Sequence, residues 1–327
     1  MIIVRTPLRV SFAGGGSDLP DYYRRFGGAV LSVSIDKYIY LSMHPYFFEE
    51  GYLLKYSRTE RRDSLDAIEH SIIREVFRLY GIKGVDFNSS ADIPSGTGLG
   101  SSSAFTAGII HLCNAYNETY MPKEAMAEQA SYLEITVLGE PIGKQDQYAC
   151  ACGGLNYIRF NPDETVAVEK LRLTSEGYKR LQGNLLLFYT GKNRNACDIL
   201  TQQKKDTLTP RCAENLRRMV ALADTLRREL QSNNVDAMGE ILHEGWMRKK
   251  KLASGISDDA INAWYEIARK NGAVGGKLLG AGGGGFLLFY VKEENHARVR
   301  KALTMLRETP FRFESEGTSL VHYEVGA

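Results

Sequence analysis

The stretch PSGTGLGSSSAF, from Pro94 to Phe105, sets Gly96, Gly98 and Gly100 directly ahead of three hydroxyls, Ser101, Ser102 and Ser103. Glycines let backbone N–H groups approach an anion, and a helix beginning near Ser102 would add its positive end. The serines can cap that helix, bond phosphate oxygens or reach a hydrated magnesium ion. Neither common phosphate fingerprint is met: a P-loop has Lys directly after its last glycine, where Ser101 stands, and Ser101 also breaks G-x-G-x-x-G. The positive charge must therefore come from elsewhere. Taken alone, the segment could equally be a capped helix start with a flexible turn.

Two further segments share this character. PLRVSFAGGGSD (Pro7 to Asp18) joins a strand, an arginine and a glycine turn ending in a carboxylate, and KLLGAGGGGF (Lys277 to Phe286) sets a glycine run before a strand. Three such connections point to one cleft lined by backbone amides rather than to three unrelated turns.

The elements that must hold them can be read coarsely. IIVRTPLRVSF, AVLSVSI and YIYLSMHPY read as strands, Asp66 to Tyr80 as a helix with Ile68, Ile72, Ile73, Val76 and Leu79 on one face, and Val85 to Asp92 as a strand leading into the opening loop. Ser102–Tyr116 and Lys123–Leu138 read as helices. LLLFYT is a buried strand, Pro210–Lys251 and Ser257–Asn271 are helical, FLLFYV is a strand, Glu294–Glu308 a helix and Gly317–Val325 a last strand. The mixture, with few tight hairpins, indicates an α+β protein. Its 327 residues suit two domains meeting near residue 184. Forty-one basic and 39 acidic residues, net +2, argue against a nucleic-acid or membrane-surface protein. No apolar run is bilayer-length and no secretion signal is read at the N-terminus. The five cysteines are expected to be free, mostly buried thiols of a cytoplasmic protein, and no zinc site is expected.

Pro94 to Ser103 satisfies P-x-x-x-G-L-G-S-S-[SA] throughout. With the other two glycine segments in the same order, the chain resembles the superfamily of galactokinase, homoserine kinase, mevalonate kinase and phosphomevalonate kinase. The resemblance implies ATP-dependent phosphoryl transfer by two domains: residues 1–183, like ribosomal protein S5 domain 2, and residues 184–327, ferredoxin-like. It implies that Pro94, Gly96, Gly98, Leu99, Gly100, Ser101, Ser102 and Ser103 wrap the ATP phosphates, and that Mg²⁺, held by Ser102 and Glu134, supplies charge a P-loop lysine would share. EPIGKQDQYAC (Glu140 to Cys150) resembles the segment bearing the catalytic aspartate, which makes Asp146 the candidate, with Arg9 beside it keeping it ionised. The other readings of Asp146 and Glu134 are a helix N-cap and a solvated helix-face acid.

Asp18, with Gly15 and Gly16, occupies the place of a sugar-binding aspartate, and Gly282 and Gly283 are further substrate candidates. Galactokinases carry Gly-Glu-His-Thr-Asp where this chain has Gly14-Gly15-Gly16-Ser17-Asp18, which argues against galactose. GGGSDLPDYY, FYTGKNRNACDIL and HEGWMRKKKLASGIS are similar to the bacterial heptose 7-phosphate kinases, which phosphorylate an anomeric hydroxyl. A substrate bearing a phosphate needs a cationic pocket at its far end. Lys192 and Arg194 are the first candidates, Arg24, Arg25 and Lys251 the next, each with a plain alternative as solvated charge. Lys277 either contacts phosphate or only leads into its glycine loop, and Trp246 reads as core before sugar site. The expected partner is thus a small sugar phosphate, with no nucleic acid and no membrane; a homodimer is left open. The alternatives are a kinase for an unphosphorylated sugar such as L-fucose, and a regulator that binds ATP and sugar without turnover.

Overall fold

A computed structural model describes residues 1–48, 50–192, 199–202 and 207–324. The chain opens with strand β1 (Ile2–Ala13), crosses a short helix α1 (Pro20–Phe26), and returns antiparallel as β2 (Gly28–Pro45). The runs AVLSVSI and YIYLSMHPY are one strand of 18 residues rather than two. Asp36 and Lys37 are taken up where the register on β1 slips between Pro7 and Leu8, a bulge that bends the strand without ending it.

A hairpin of β3 (Tyr52–Lys55) and β4 (Thr59–Arg62) follows, then α2 (Ser71–Tyr80), β5 (Val85–Ala91), α3 (Ser101–Tyr116) and α4 (Lys123–Ser131). Helix α2 starts later than its periodicity suggests, because Leu65–Ala67 forms a separate 3₁₀ turn. The helix expected over 123–138 changes character at Tyr132, where it widens to π geometry through Val137. Such stretches recur at functional sites, and Glu134 lies in this one. Helix α5 (Gln145–Cys152), strands β6 (Leu155–Phe160) and β7 (Val166–Lys170) and helix α6 (Ser175–Gly183) complete this half.

Helix α3 carries small residues because it lies against β1: a Cβ on Gly108 would stand 2.7 Å from Thr6 Oγ1. Most of its residues are buried, with Ile109, Ile110 and Leu112 wholly in the core. That packing fixes where the N-terminus of α3, and so the glycine-serine loop, points.

The second sheet has the order β11-β8-β10-β9, antiparallel throughout, from β8 (Leu185–Tyr189), β9 (Ala273–Leu278), β10 (Phe286–Val291) and β11 (Arg307–Glu308). Its helices are α7 (Pro210–Gln231), α8 (Ala237–Lys249), α9 (Asp259–Lys270) and α10 (His296–Ala302). The helical stretch expected over 210–251 is broken at 232–236, where Asn233 adopts a left-handed φ of 65°. The helix expected to reach Glu308 ends at Ala302, because the next residues form β11 on the edge of β8. Trp246 is wholly buried beside Tyr265 and Phe289. Cys113, Cys150, Cys152 and Cys212 are free and buried, and Cys197 lies outside the described residues.

The chain then comes back. Strand β12 (Phe313–Glu314) pairs with β2 and β13 (Ser319–Tyr323) with β1, extending a nine-stranded sheet whose main path is β13-β1-β2-β5-β3-β4. The return is pinned by a buried polar contact: Thr6 and Thr318 share a hydrogen bond of 2.9 Å between hydroxyls, and His111 Nδ1 lies 3.0 Å from Thr318 Oγ1. Burial, with Lys123 nearby, lowers the His111 pKa from 6.5 to about 4.

Thr318→Val leaves both partners unsatisfied in the core and is expected to cost about 1–3 kcal/mol in urea unfolding at pH 7. Since His111 is held neutral when folded, stability contributed by this site is complete above pH 6.5 and falls as the pH drops toward 4. An unchanged unfolding midpoint for the variant would remove the contact as a tie between chain ends.

Candidate active site

Arg9 points from β1 to the N-terminus of α5. Its Nε donates to Asp146 Oδ1 at 2.8 Å and its Nη2 to Asp146 Oδ2 at 2.7 Å, a bidentate pair. The remaining fork, Nη1, donates to the Gly98 carbonyl at 2.7 Å, and the Arg9 backbone N–H donates to the Leu99 carbonyl at 3.0 Å. One residue thus joins the first glycine segment, the glycine-serine loop and the aspartate helix. Burial alone would lower the Arg9 pKa, but Asp146 outweighs it and the guanidinium is held above its ordinary value. Gln145 Nε2 donates to Asp146 Oδ1 at 2.9 Å, and Ser11 Oγ donates to Gln145 Oε1 at 2.9 Å. Asp146 serves no cap; one side of its carboxylate is held, and the residue lines an open cavity of about 400 Å³.

Asp18 reaches the same cavity from the turn before α1. Its Oδ1 accepts from the Gly16 N–H at 2.8 Å and its Oδ2 from the Gln145 N–H at 3.3 Å. Burial raises its pKa, and the nearby Asp146 charge adds to this against the two backbone donors. Gly143 is required here, since a Cβ would fall 2.0 Å from Asp18 Oδ2. Gly15 and Gly16 complete this wall.

Opposite lies the glycine-serine loop. Gly96, Gly98 and Gly100 have φ of 74°, 83° and 78°, a backbone that residues with a Cβ rarely adopt. Gly100 precedes α3 and offers no side-chain cap, so the first-turn amides at Ser101, Ser102 and Ser103 are left for an anion at the cavity wall. Glu134 is 1% exposed and accepts from Ser102 Oγ at 3.0 Å, Ser103 Oγ at 2.9 Å and Gln147 Nε2 at 2.6 Å. Burial pushes its pKa up, and those three donors oppose the shift. A buried carboxylate beside a serine hydroxyl suits Mg²⁺, which usually takes one or two carboxylates plus substrate phosphates. Among the described residues no cluster of three or more His, Cys, Asp or Glu forms a fuller cage. Pro94 and Leu99 stand behind the loop: the Pro94 carbonyl accepts from Thr97 Oγ1, and Leu99 is wholly buried.

The third glycine segment closes the cavity, with Gly280, Gly282 and Gly284 at its edge. A Cβ on Gly280 would lie 2.4 Å from Gly98 Cα, so the two loops touch backbone to backbone. Gly283 is turned away and donates its N–H to the Ile256 carbonyl at 2.9 Å.

Among the described residues, the cations expected at the far end of the substrate fall elsewhere. Lys192 Nζ pairs with Asp258 and stands over the Trp264 ring, and it does not line the cavity. Arg194 lies outside the described residues. Arg24 pairs with Glu164, while Arg25 and Lys251 are exposed. Two lysines do line the cavity, Lys277 and Lys249. Sequence reasoning passed over Lys249 as one of the run Lys249–Lys251, although it falls on the same helix face as the buried Leu242 and Trp246, three residues past the latter.

Comparison with known proteins gives the family. The N-terminal domain of the GHMP kinases matches residues 67–154 and their C-terminal domain residues 226–308. The chain belongs to the GHMP kinases, with their two-domain α+β fold, and is an ATP-dependent sugar kinase that transfers a phosphoryl group to an alcohol. It is 29% identical to the D-glycero-alpha-D-manno-heptose 7-phosphate kinase of Campylobacter jejuni, over 92% of this chain and 93% of that one. A solved D-glycero-D-manno-heptose 1-phosphate kinase from Bacteroides thetaiotaomicron superposes with a TM-score of 0.82 at 25% identity, over 99% and 100% of the two chains. The L-fucokinase/L-fucose-1-P guanylyltransferase of Bacteroides fragilis is 26% identical over 92% of this chain but only 36% of its own. Among the described residues no helix is long and apolar enough to cross a membrane.

Asp146→Asn keeps the size of the side chain but removes the counter-charge of Arg9 and the carboxylate facing the cavity. We expect kcat to fall at least about 100-fold with the fold retained by circular dichroism. Wild-type turnover in the variant would exclude Asp146 from the chemistry.

Proposed function

We propose that this kinase transfers the terminal phosphoryl group of ATP to the anomeric C1 hydroxyl of D-glycero-D-manno-heptose 7-phosphate, giving the 1,7-bisphosphate on a cytoplasmic GDP-heptose route. The observation that carries the reading is the Arg9-held Asp146 beside Asp18 at the end of a glycine-lined cavity. The end-to-end similarity to two heptose phosphate kinases supports the choice of sugar.

In this reading Asp18 and the amides at Gly15 and Gly16 orient the sugar. Asp146 accepts the hydrogen bond of the reacting hydroxyl and aims it at the γ-phosphorus, taking its proton as the new bond forms. Arg9 keeps Asp146 ionised and stabilises developing negative charge. The helix α3 amides and the N–H groups of the glycine turns cradle the nucleotide phosphates and leave them in line with the hydroxyl. Ser102 and Glu134 would hold Mg²⁺, which supplies neutralisation of the phosphate charge when bound. The division into residues 1–183 and 184–327 belongs to the same reading, with β12 and β13 returning to the first sheet.

The triple glycine where galactokinases have Glu and His opens the sugar end of the cavity to a larger substrate. A second reading, an L-fucose or hexose 1-kinase, is favoured by the engagement of Lys192 with Asp258 rather than with the cavity and by the partial match to a fucokinase.

A coupled ADP-release assay across heptose 7-phosphate, unphosphorylated heptose, mannose, L-fucose, galactose and mevalonate separates them. The expected result is a kcat/KM for the heptose phosphate at least about 100-fold above every free sugar, the size set by a buried charged contact. Equal or better turnover of a free sugar would overturn the phosphate requirement.

A further inference from the structure

Two buried lysine amino groups in the cavity remain without a role. Lys249 ends α8 at 8% exposure and Lys277 lies in β9 at 5%. Lys249 Nζ donates to the Leu278 carbonyl at 3.2 Å and to that of Gly280, and Lys277 Nζ donates to the Phe12 carbonyl at 3.1 Å. Among the described residues neither forms an ion pair. In its charged form each amino group has three donors, of which two are engaged on Lys249 and one on Lys277, so donors remain on both when protonated.

If these lysines were only structural ties, the arrangement would be a costly one. A buried cation held by neutral carbonyls loses hydration without gaining an ion pair, and a neutral donor would serve the same carbonyls. The carboxylates that act on Lys249 are engaged by other donors. Arg9 on β1 is matched to Asp146 on α5, Asp18 in the turn before α1 is satisfied by backbone N–H groups, and Lys249 and Lys277 face each other and Arg9. Burial and Arg9 lower the Lys249 pKa from 10.5 to about 7, with Asp146 and Asp18 opposing; burial, Lys249 and Arg9 lower that of Lys277. Asp18, Glu134, Glu140 and Asp146 also line the cavity, yet among the described residues none of them forms an ion pair with either lysine.

We propose that Lys249 and Lys277 form a seat for a phosphate dianion of a reactant. The seat rests on the sugar-kinase reading and adds to it two residues that bind phosphate, in place of Lys192, which pairs with Asp258. The phosphate has two sources, the acceptor's own phosphate and the terminal phosphate of the nucleotide. Either would engage the unused donors and give both lysines an ion pair. Gly280, whose carbonyl Lys249 holds, ties the seat to the loop that contacts Gly98. A dianion arriving there favours the charged form of both lysines, so binding takes up protons at a pH where the ligand itself is already fully ionised.

The test is titration calorimetry at pH 8 with Mg-AMPPNP, Mg-ADP, heptose 7-phosphate and unphosphorylated heptose, on wild type, Lys249→Met and Lys277→Met. The expected result is a loss of about ten-fold or more in affinity for one phosphate-bearing probe, with its partner lacking that phosphate unchanged. Loss confined to heptose 7-phosphate places the acceptor phosphate on the seat; loss confined to Mg-AMPPNP places the terminal nucleotide phosphate there. Unchanged affinities, or equal losses for all four probes, overturn the seat and leave the lysines as structural ties. A wild type that binds no heptose phosphate while the variants still lose Mg-AMPPNP refutes the heptose reading and keeps the seat. Should the variants fail to fold, wild type decides alone in buffers of differing ionisation enthalpy. Proton uptake with a phosphate-bearing probe that is absent for its counterpart supports the seat, and no such difference overturns it.

Discussion

The pair between buried Arg9 and the cavity-lining Asp146 is the constraint on which the rest of the site depends. Withdrawing the Arg9 charge from water costs several kcal/mol unless geometry and further hydrogen bonds compensate. Here the compensation is specific: a two-point fork to the carboxylate, a third donor to the Gly98 carbonyl, and Gln145 on the same carboxylate oxygen. A lysine has no planar fork and could not make these contacts together. Because the third donor ends on a loop carbonyl, the glycine-serine loop is shaped by the same residue that orients the aspartate. Gly100 must stay bare for this to work, since a Cβ there would press on Arg9, Asp146 and Cys150 within 3.4 Å.

The fold supplies these contacts through packing rather than through local preference. Helix α3 lies on β1 closely enough to require Gly108, which aims its uncapped N-terminus at the cavity. The widened turn after α4 brings Glu134 inward to the serines of that helix start. The second sheet contributes the third glycine loop, and β13 closes back onto β1, so chain start and chain end brace the strand that carries Arg9. Rigid strands and one buried helix thus hold the reacting groups, the arrangement that orientation-dependent chemistry needs.

Much of this was legible in the sequence because glycine runs with fixed neighbours leave few alternatives. Three glycine segments pointed to one cleft, and in the structure Gly98 touches Gly280 while Arg9 reaches across to the loop between them. The strands β5, β8 and β10 and the helices α3 and α9 followed from periodicity to within a residue or two. What escaped was set by tertiary contact. Helix α5 has too little amphipathic contrast to show, being buried nearly all round. The bulge at Asp36 and Lys37 reads as a break between strands, since polar residues there look like a turn. Lys249 is hidden because charge identity says surface while its helical phase says core, and only packing decides between them.

The claim that Arg9 and Asp146 act as one unit is tested most directly by a double-mutant cycle on kcat/KM with Arg9→Met and Asp146→Asn. If the pair is a unit, the double variant is barely worse than Asp146→Asn alone, because the arginine works only through the aspartate it holds. Losses that add in full, as for independent sites, would contradict the account and leave Arg9 and Asp146 as neighbours with separate roles.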